Sequence, residues 1–460
     1  MLPILARTFF RVQERLLGRR TFAILKELEA SQWWPRERIR ALQVERLRAL
    51  AASAYAHTPY WRRVMDEHGI APDSIRSLDD VRRFPFINRQ TLQTHREEMV
   101  WRGEGRRILL ARTSGSTNEA LQFYTSSNRE SHITAARMRG HEWAGVRPGD
   151  KEVYFWAAPV EINAQGRLRQ ARDFLTNNYF SNALLLNADL APRYIAHWAR
   201  WRVNCIFGYV SSVTLLARLV RKQGLDLRPL RDGGLRAIVT TSEILSDVDR
   251  QFITETFGVP ACDSYGLREG GLIGHDCERG TLHTTDEQLI LEVIDPQTLQ
   301  PATDGTGELV VTMLLSQVQP VIRYRTGDIV TMSEACCPCG RTLRSLKVSG
   351  GRMMDFIVTR NGNWVSCVAV LYVARTIPGI VHFQARQERV GHVHLVLAVD
   401  ENFPPDGKEQ VLRQMRARLK SDDEMTLEIV DDIEPAPSGK YRPVISAVAQ
   451  KMLQDKTYTP

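Results

Sequence analysis

Apolar residues in the first hundred positions recur about every 3.6 residues, which is the period of an amphipathic helix. The run RIRALQVERLRALAASAYAHTPYW is the longest example of this spacing. From about residue 105 to 260, short β-rich runs alternate with helical stretches, and this alternation predicts a largely parallel sheet covered by helices. The runs that we interpret as buried strands are RILLART, KEVYFWAA, VNCIFGYV and LRAIVTTSE.

A second change of pattern divides the chain near its last quarter. Residues from about 280 to 335 are rich in strands and turns, and the last hundred residues mix strand patterns with the helical run GKEQVLRQMRARLKS. The sequence SGGR at 349–352 offers a flexible joint. We therefore predict an α/β protein with a large N-terminal domain over residues 1–351, containing mainly parallel strands and a β-rich subdomain. Residues 352–460 are predicted to form a small, mobile α+β domain.

Composition narrows the class of protein further. The chain is 43% hydrophobic and 25% charged, and no apolar run is long enough for a transmembrane helix. The net charge is +8, but the arginines are scattered, so we expect a solvated basic surface and no nucleic-acid partner. The N-terminal run MLPILARTFFRVQERLLGRR predicts an amphipathic helix rather than a signal peptide, with a membrane or partner contact as the alternative. Without an export signal, the predicted location is the cytoplasm.

The run TSGSTNEA at 113–120 lies between two β-rich segments. Backbone amides and hydroxyls of such a loop can converge on phosphate oxygens, although serine- and glycine-rich hairpin turns are also common. No lysine follows, so the run is not a Walker loop. The residues of this candidate phosphate loop are Thr113, Ser114, Gly115, Ser116 and Thr117.

Three further motifs combine turns with chemically useful side chains. SYGLREGG (264–271) offers an aromatic ring for a purine and Glu269 for Mg²⁺, while YRTGDIV (324–330) offers Asp328 for a ribose diol. PAPSGKYRPVIS (435–446) presents Lys440, whose charge can stabilise a phosphoryl transition state. Taken singly, each motif also fits an ordinary solvated turn.

In this order, the four motifs resemble the signature series of the adenylate-forming superfamily of acyl-CoA ligases, acyl-adenylating domains and luciferases. YGLREGG and PCGRTLRSLKVSGGR are most similar to the phenylacetate-CoA ligase branch and its capsule-biosynthesis relatives. The resemblance extends from about residue 50 to 446. Many relatives carry Asp or Lys two residues after the arginine of SGGR, where this chain has Met354.

The resemblance implies a role for each matching residue. Thr113 to Thr117 would contact the β- and γ-phosphates of ATP, and Glu269 would coordinate Mg²⁺. Asp328 would bind the ribose, and Lys440 would contact the carboxylate and the α-phosphate. Arg352 would lie on ribose or phosphate and take part in catalysis. The residues expected around adenine are Thr240, Thr241, Ser242, Glu243, Ser264, Tyr265 and Gly266, of which the last two would also lie beside the acyl carboxylate. Those expected around the acid are Gly208, Tyr209, Gly270 and Gly271.

The implied activity is ATP-dependent activation of a carboxylic acid to an acyl-adenylate, followed by transfer to the thiol of CoA. Aromatic residues in VYFWAAP and FGYVSS favour an aromatic or other hydrophobic acid. Two alternatives remain open: transfer to a carrier-protein thiol or an amine, and a degenerate nucleotide-binding protein without catalysis. The oligomeric state is also open, with a homodimer as one candidate.

Cysteines and a histidine form two closely spaced pairs, in DCERGTLH and CCPCG. Cys277 with His283, and Cys337 with Cys339, suit a tetrahedral structural Zn²⁺ site. Cys336 fits the C-x-C spacing less well. The alternative is a reduced thiol cluster with His283 on the surface.

Overall fold

The computed structural model describes residues 1–103, 108–112, 121–156, 171–296, 298–352, 356–366, 370, 373, 376–433 and 443–454. The chain divides into two compact units. The first comprises Met1–Glu292, Val310–Arg325 and Met332–Leu346, and the second comprises Val293–Leu309, Thr326–Thr331 and Lys347–Pro460. The second unit thus draws on two segments that precede residue 352, where the sequence predicts the domain boundary.

Helices cover the first unit and begin with the predicted N-terminal helical region. They are α1 Pro3–Leu16, α2 Thr21–Ser31, α3 Arg36–His57, α4 Pro59–Glu67, α5 Arg89–Thr94, α6 Ser127–Trp143, α7 Leu190–Trp201, α8 Val210–Gln223, α9 Arg228–Gly233 and α10 Asp247–Phe257. Short 3₁₀ helices occupy Pro72–Ser74, Leu78–Arg83 and Ala183–Leu185.

An eleven-stranded sheet forms the centre of the fold, in the order β10-β11-β12-β13-β9-β8-β7-β6-β5-β3-β4. Strands β4, β3, β5, β6 and β7 are parallel neighbours, while β7–β8, β8–β9 and β9–β13 are antiparallel. The strands are β3 Glu152–Trp156, β4 Asn178–Asn182, β5 Cys205–Tyr209, β6 Ala237–Thr241, β7 Ala261–Leu267, β8 Gly271–Asp276, β9 Leu282–Thr284, β10 Leu289–Ile294, β11 Thr306–Met313, β12 Val321–Ser333 and β13 Ser345–Arg352.

The central parallel strands β5 and β6 are buried along their whole length and are mainly apolar on both faces. In β5, Ile206 belongs to the cluster that includes Trp198 of α7, whereas Cys205 and Phe207 belong to a separate buried cluster. Because successive side chains of a strand point to opposite faces, both faces of the sheet are covered. The continuous apolar runs in the sequence are thereby explained.

One expected strand of this sheet lies elsewhere. The run RILLART supplies β1 Ile108–Arg112, which pairs with β2 Gln122–Ser126 in a separate antiparallel hairpin. Leu110 is 48% exposed, so the prediction of a buried strand was wrong here. A hairpin with one solvated face does not require a continuous apolar run.

The second unit contains a four-stranded sheet in the order β18-β17-β16-β19, and a two-stranded sheet of β14 and β15. Its own core includes Phe383, Leu395 and Met415. The predicted α+β character is confirmed by the elements β14 Phe356–Val358, β15 Trp364–Ser366, β16 Ile380–Gln387, β17 His392–Val399, α11 Gly407–Leu419, β18 Glu424–Val430, β19 Val444–Ser446 and α12 Ala447–Gln454.

Candidate active site

Three parallel strands of the first unit bring predicted site residues side by side. Tyr209, the last residue of β5, is the register partner of Thr241, the last residue of β6. Thr241 is in turn paired with Ser264 of β7, and its hydroxyl donates to the Ser264 carbonyl over 2.6 Å. Ligands of open α/β sheets bind at the carboxyl ends of parallel strands. This edge therefore has the geometry of a ligand site.

An aromatic wall stands beside β5. Tyr209 is buried, and its ring meets the half-buried Trp156 ring edge-on, with centroids 4.8 Å apart. Burial and the nearby Glu243 charge raise the pKa of Tyr209 to about 12, so its phenol stays protonated near neutral pH. Gly208 has no room for a side chain, because a Cβ there would lie 2.6 Å from the Phe155 carbonyl oxygen. The wall is thus closely packed and apolar.

Glu243 joins the end of β6 to the start of α8. Its two carboxylate oxygens accept from the Ser211 amide at 2.6 Å and the Ser211 hydroxyl at 2.9 Å. A carboxylate at a helix N-terminus satisfies orphan amides and interacts favourably with the helix dipole. Ser242 before it has φ +71°, which is uncommon for a residue other than glycine or asparagine. This turn therefore holds the β6 and β5 ends in a fixed relation.

An irregular hairpin follows β7. The β7–β8 register shifts between Tyr265 and Gly266, and a Cβ on Gly266 would lie 3.0 Å from the Gly271 carbonyl oxygen. Gly271 has φ +81°, and a Cβ on Gly270 would lie 3.0 Å from that of Leu267. These glycines allow the chain to turn tightly around Glu269.

Glu269 is only 6% exposed and is held by neighbours that its own motif does not reveal. Its Oε1 accepts from the Tyr324 hydroxyl over 3.0 Å. Arg129, at the start of α6 and 3% exposed, donates to the carbonyl of Arg268 and to the Thr125 hydroxyl. Burial lowers the pKa of Arg129, and the charges of Glu130 and Glu269 oppose that shift.

Neither Arg129 nor Tyr324 was predicted from the sequence as a site residue. Arg129 sits in TSSNRE and Tyr324 begins YRTGDIV, and neither position has a spacing that singles it out. Only the fold, which packs the start of α6 and strand β12 against the turn of Glu269, identifies them.

Asp328 belongs to the second unit. It is 7% exposed, and its amide donates to the Thr326 hydroxyl over 3.1 Å. Gly327 has φ +77° and donates its amide to Glu308 at 3.2 Å. Gly327 and Asp328 nevertheless lie inside strand β12, so the predicted turn was wrong here. Arg352 is the last residue of β13, in the same unit.

Several predicted residues lie outside the described part of the chain. These are Thr113, Ser114, Gly115, Ser116, Thr117 and Lys440, together with Met354 near the predicted pivot. The strands β1 and β2 that flank the candidate phosphate loop are described and pair through Arg112 and Gln122.

The four predicted zinc ligands do meet, within the first unit. One potential ligand atom from each of Cys277, His283, Cys337 and Cys339 lies within 4.8 Å of the others. The Cys277 and Cys337 sulfurs are 3.9 Å apart, and His283 Nε2 is 3.2 Å from the Cys339 sulfur. Cys336 is exposed and is not a member of the group.

Backbone geometry supports a cation at this cluster. His283 Nδ1 lies 3.1 Å from the Leu343 carbonyl, to which it donates, so that Nε2 faces the thiols as an acceptor. The amides of Arg279 and Arg341 point to the sulfurs of Cys277 and Cys339 at 3.4 and 3.5 Å. Amide donors of this kind stabilise thiolates. Three thiols and one imidazole nitrogen at these distances form a group that could hold a metal ion.

Comparisons with known proteins agree with the fold. Residues 357–447 match the family model of the CapK C-terminal domain. The chain is 29% identical over 396 residues to phenylacetate-coenzyme A ligase of Thermus thermophilus, covering 82% of this chain and 85% of the relative. It is 20% identical over 402 residues to protein CapK of Staphylococcus aureus, covering 85% and 86%.

A solved structure shares the whole fold. It is 2-hydroxyisobutyryl-CoA ligase in the postadenylation state with a bound acyl-AMP, at TM-score 0.71, 20% identity and 92% coverage of both chains. The fold is thus that of the adenylate-forming superfamily, as predicted. Within it, the chain is related to the phenylacetate-CoA ligase branch and to CapK, and the resemblance inferred from the motifs is confirmed.

Proposed function

We propose that this protein is an AMP-forming acid–CoA ligase, the enzyme class predicted from the sequence and shared by the ligases named above. The observation that supports it most is the strand edge where Tyr209, Thr241 and Ser264 align in register. The turn that follows β7 places the buried Glu269 after this edge.

The proposed chemistry has two steps. A carboxylate oxygen of the acid attacks the α-phosphorus of ATP, and pyrophosphate leaves with the electron pair of the broken P–O bond. The CoA thiolate then attacks the acyl carbon, and AMP leaves with the electron pair of the acyl–oxygen bond. Glu269 would hold Mg²⁺, because carboxylate oxygens are its preferred protein ligands, and the ion would neutralise phosphate charge. The Tyr324 hydroxyl would orient that carboxylate.

The proposed contacts with the nucleotide are those that the resemblance implies, residue by residue. Tyr265 and Gly266 would lie beside adenine, above the turn formed by Thr241, Ser242 and Glu243. Asp328 would accept hydrogen bonds from both ribose hydroxyls, as a carboxylate can. Arg352, Lys440 and the loop Thr113 to Thr117 keep the roles that the resemblance implies, and a mobile domain over 352–460 would carry Lys440.

The acid is proposed to be aromatic or otherwise hydrophobic. Trp156 and Tyr209 supply a packed apolar wall at the end of β5, and Gly208 lets the chain approach closely. Apolar walls with few polar groups are typical of pockets for such ligands.

The predicted compartment, where CoA and ATP are available, is the cytoplasm.

A panel of carboxylic acids tests the function and separates its alternatives. The purified chain is given ATP, Mg²⁺ and each acid, with and without CoA, and AMP, pyrophosphate and thioester are measured. We expect thioester and AMP in equal amounts from an aromatic or hydrophobic acid. Release of pyrophosphate that ignores CoA would instead favour a carrier-protein or amine acceptor. ATP binding without turnover of any acid would favour a non-catalytic protein.

We also propose that Cys277, His283, Cys337 and Cys339 bind one structural Zn²⁺, which would join the β8–β9 turn to the loop before β13. Metal analysis of the purified chain should give one zinc per chain. Cys337→Ser should lose that zinc and lower the melting temperature, whereas Cys336→Ser, at the exposed neighbour, should keep both. Folded wild-type protein without zinc would contradict the assignment.

A further inference from the structure

Helix α1 exposes an apolar stripe. Leu5, Phe9, Val12 and Leu16 follow one another at spacings of four, three and four residues, so they share one face of Pro3–Leu16. Leu5, Val12 and Leu16 are 54%, 49% and 82% exposed, and Phe9 is half-buried. Leu2 and Ile4 extend the exposed apolar surface at the start of the helix. Contiguous exposed apolar surface of this kind marks an interaction site.

The opposite face fixes the helix to the first unit. Ala6 is fully buried, and the Phe10 ring meets the Phe22 ring edge-on at 5.7 Å. Near the other end, Glu14 accepts from the Thr21 hydroxyl and, at 3.2 Å, from Arg19. The Asn177 side chain donates to the Met1 carbonyl at 3.1 Å. The stripe therefore faces outward on an anchored helix.

Charge is distributed unevenly around this helix. Residues 1–20 contain five arginines and one acid, and the acid, Glu14, is turned inward and 1% exposed. Arg11 and Arg15 are exposed and one turn apart. Helical geometry places Arg15 roughly 60° from Val12, beside the stripe, while the Arg11 guanidinium lies 4.8 Å over the Phe22 ring. An apolar face bordered by basic residues, without an outward acid, complements an anionic lipid surface.

We propose that α1 docks this protein onto membrane surfaces that contain anionic lipids, with the stripe in the headgroup region. No helix in the described part of the chain is long and apolar enough to cross a membrane, so this contact would be peripheral. A second copy is less suitable as the occupant. At 1.5 Å per residue the 14-residue helix is about 21 Å long, and at about 10 Å width two such faces would bury only roughly 400 Å². A stable dimer interface buries roughly 1,200 Å² or more.

Vesicle co-sedimentation of the full chain tests the proposal. The vesicles contain phosphatidylcholine alone or with about 30% phosphatidylserine. We expect wild-type protein to pellet with the anionic vesicles and to dissociate as salt is raised. The double variant Leu5→Glu/Val12→Glu should bind the anionic vesicles at least about tenfold more weakly than wild type, because both charges would enter the apolar layer. Arg11→Glu/Arg15→Glu should lose the preference for phosphatidylserine.

Val248→Glu is the matched control, since Val248 is 57% exposed on another helix, α10, and its change should leave binding unaltered. Circular dichroism and melting curves verify that each variant is folded. The proposal is overturned if wild-type protein stays in the supernatant, or if the stripe variant binds as well as the control. A wild-type dimer in sedimentation velocity that the stripe variant converts to monomer would overturn it too, because a second copy would then cover the stripe.

Discussion

Glu269 depends on a hydrogen bond that joins the turn after β7 to strand β12. Tyr324→Phe removes the hydroxyl that donates to Glu269 Oε1. A hydrogen bond to a charged group contributes about 1.5–3 kcal/mol, so we expect kcat/KM for MgATP to fall by at least about tenfold. Tyr55→Phe removes a tyrosine–carboxylate bond on α3, to Asp66, and should leave the kinetics unchanged. Equal kinetics for wild type and Tyr324→Phe would argue against this positioning role.

A second residue-level prediction concerns pH. Burial and a hydrogen bond with the Glu29 carboxyl raise the pKa of Glu142 from 4.5 to about 7. A raised carboxyl pKa means that the folded state favours the protonated form. The contribution of Glu142 to the free energy of unfolding is therefore complete below pH 4.5 and is lost as pH rises through 7. Glu142→Gln should therefore be more stable than wild type at pH 8.

The size of that gain is modest, because Glu142 is only half-buried and solvent screens its charge. We expect about 1 kcal/mol, or roughly 2 °C in melting temperature, at pH 8. At pH 4.5 to 5 the gain should be largely absent. Melting curves of both proteins at the two pH values measure it, and an equal difference at both would contradict the shift.

At the level of elements, close approach of β3 and β5 shapes the aromatic wall. Gly208→Ala would place a methyl group 2.6 Å from the Phe155 carbonyl, so the strands must separate. We expect a cost of about 1–3 kcal/mol and a higher KM for the acid. Gly233→Ala, where the nearest atom is 3.6 Å away in helix α9, should not destabilise the fold. If both variants melt like wild type, the packing argument fails.

The sequence predicted the central parallel strands well, but it did not predict the pairing of β1 or the irregular turns, and the reasons are physical. Strands β5 and β6 are buried on both faces, so their apolar runs identify them directly. The run of β1 looks similar but forms a hairpin, because short apolar runs do not encode their pairing partner. The register shift at Tyr265 and the positive φ of Ser242 leave no such pattern, since they arise from packing between strands.

At the scale of the whole molecule, residues distant in sequence meet in the cysteine–histidine cluster and around Glu269. The spacing of the cysteines and the histidine in the sequence predicted the cluster that they form, because residues that can bind metal ions are few and chemically distinctive. Arg129 was not predicted, although it fixes the turn of Glu269, because its role exists only once α6 packs there. Local motifs therefore reveal the groups that act on ligands, while the groups that position them require the fold.

The central claim is that this chain adenylates a carboxylic acid, and exchange of labelled pyrophosphate into ATP measures that step without any acceptor. Wild-type protein should show exchange that requires both Mg²⁺ and an aromatic or hydrophobic acid. Lys440→Ala should reduce the exchange rate by at least about 100-fold, because a charge that stabilises the transition state is removed. Exchange that survives Lys440→Ala would contradict the assignment of this lysine. Failure of wild-type protein to exchange with any acid would contradict the adenylation itself.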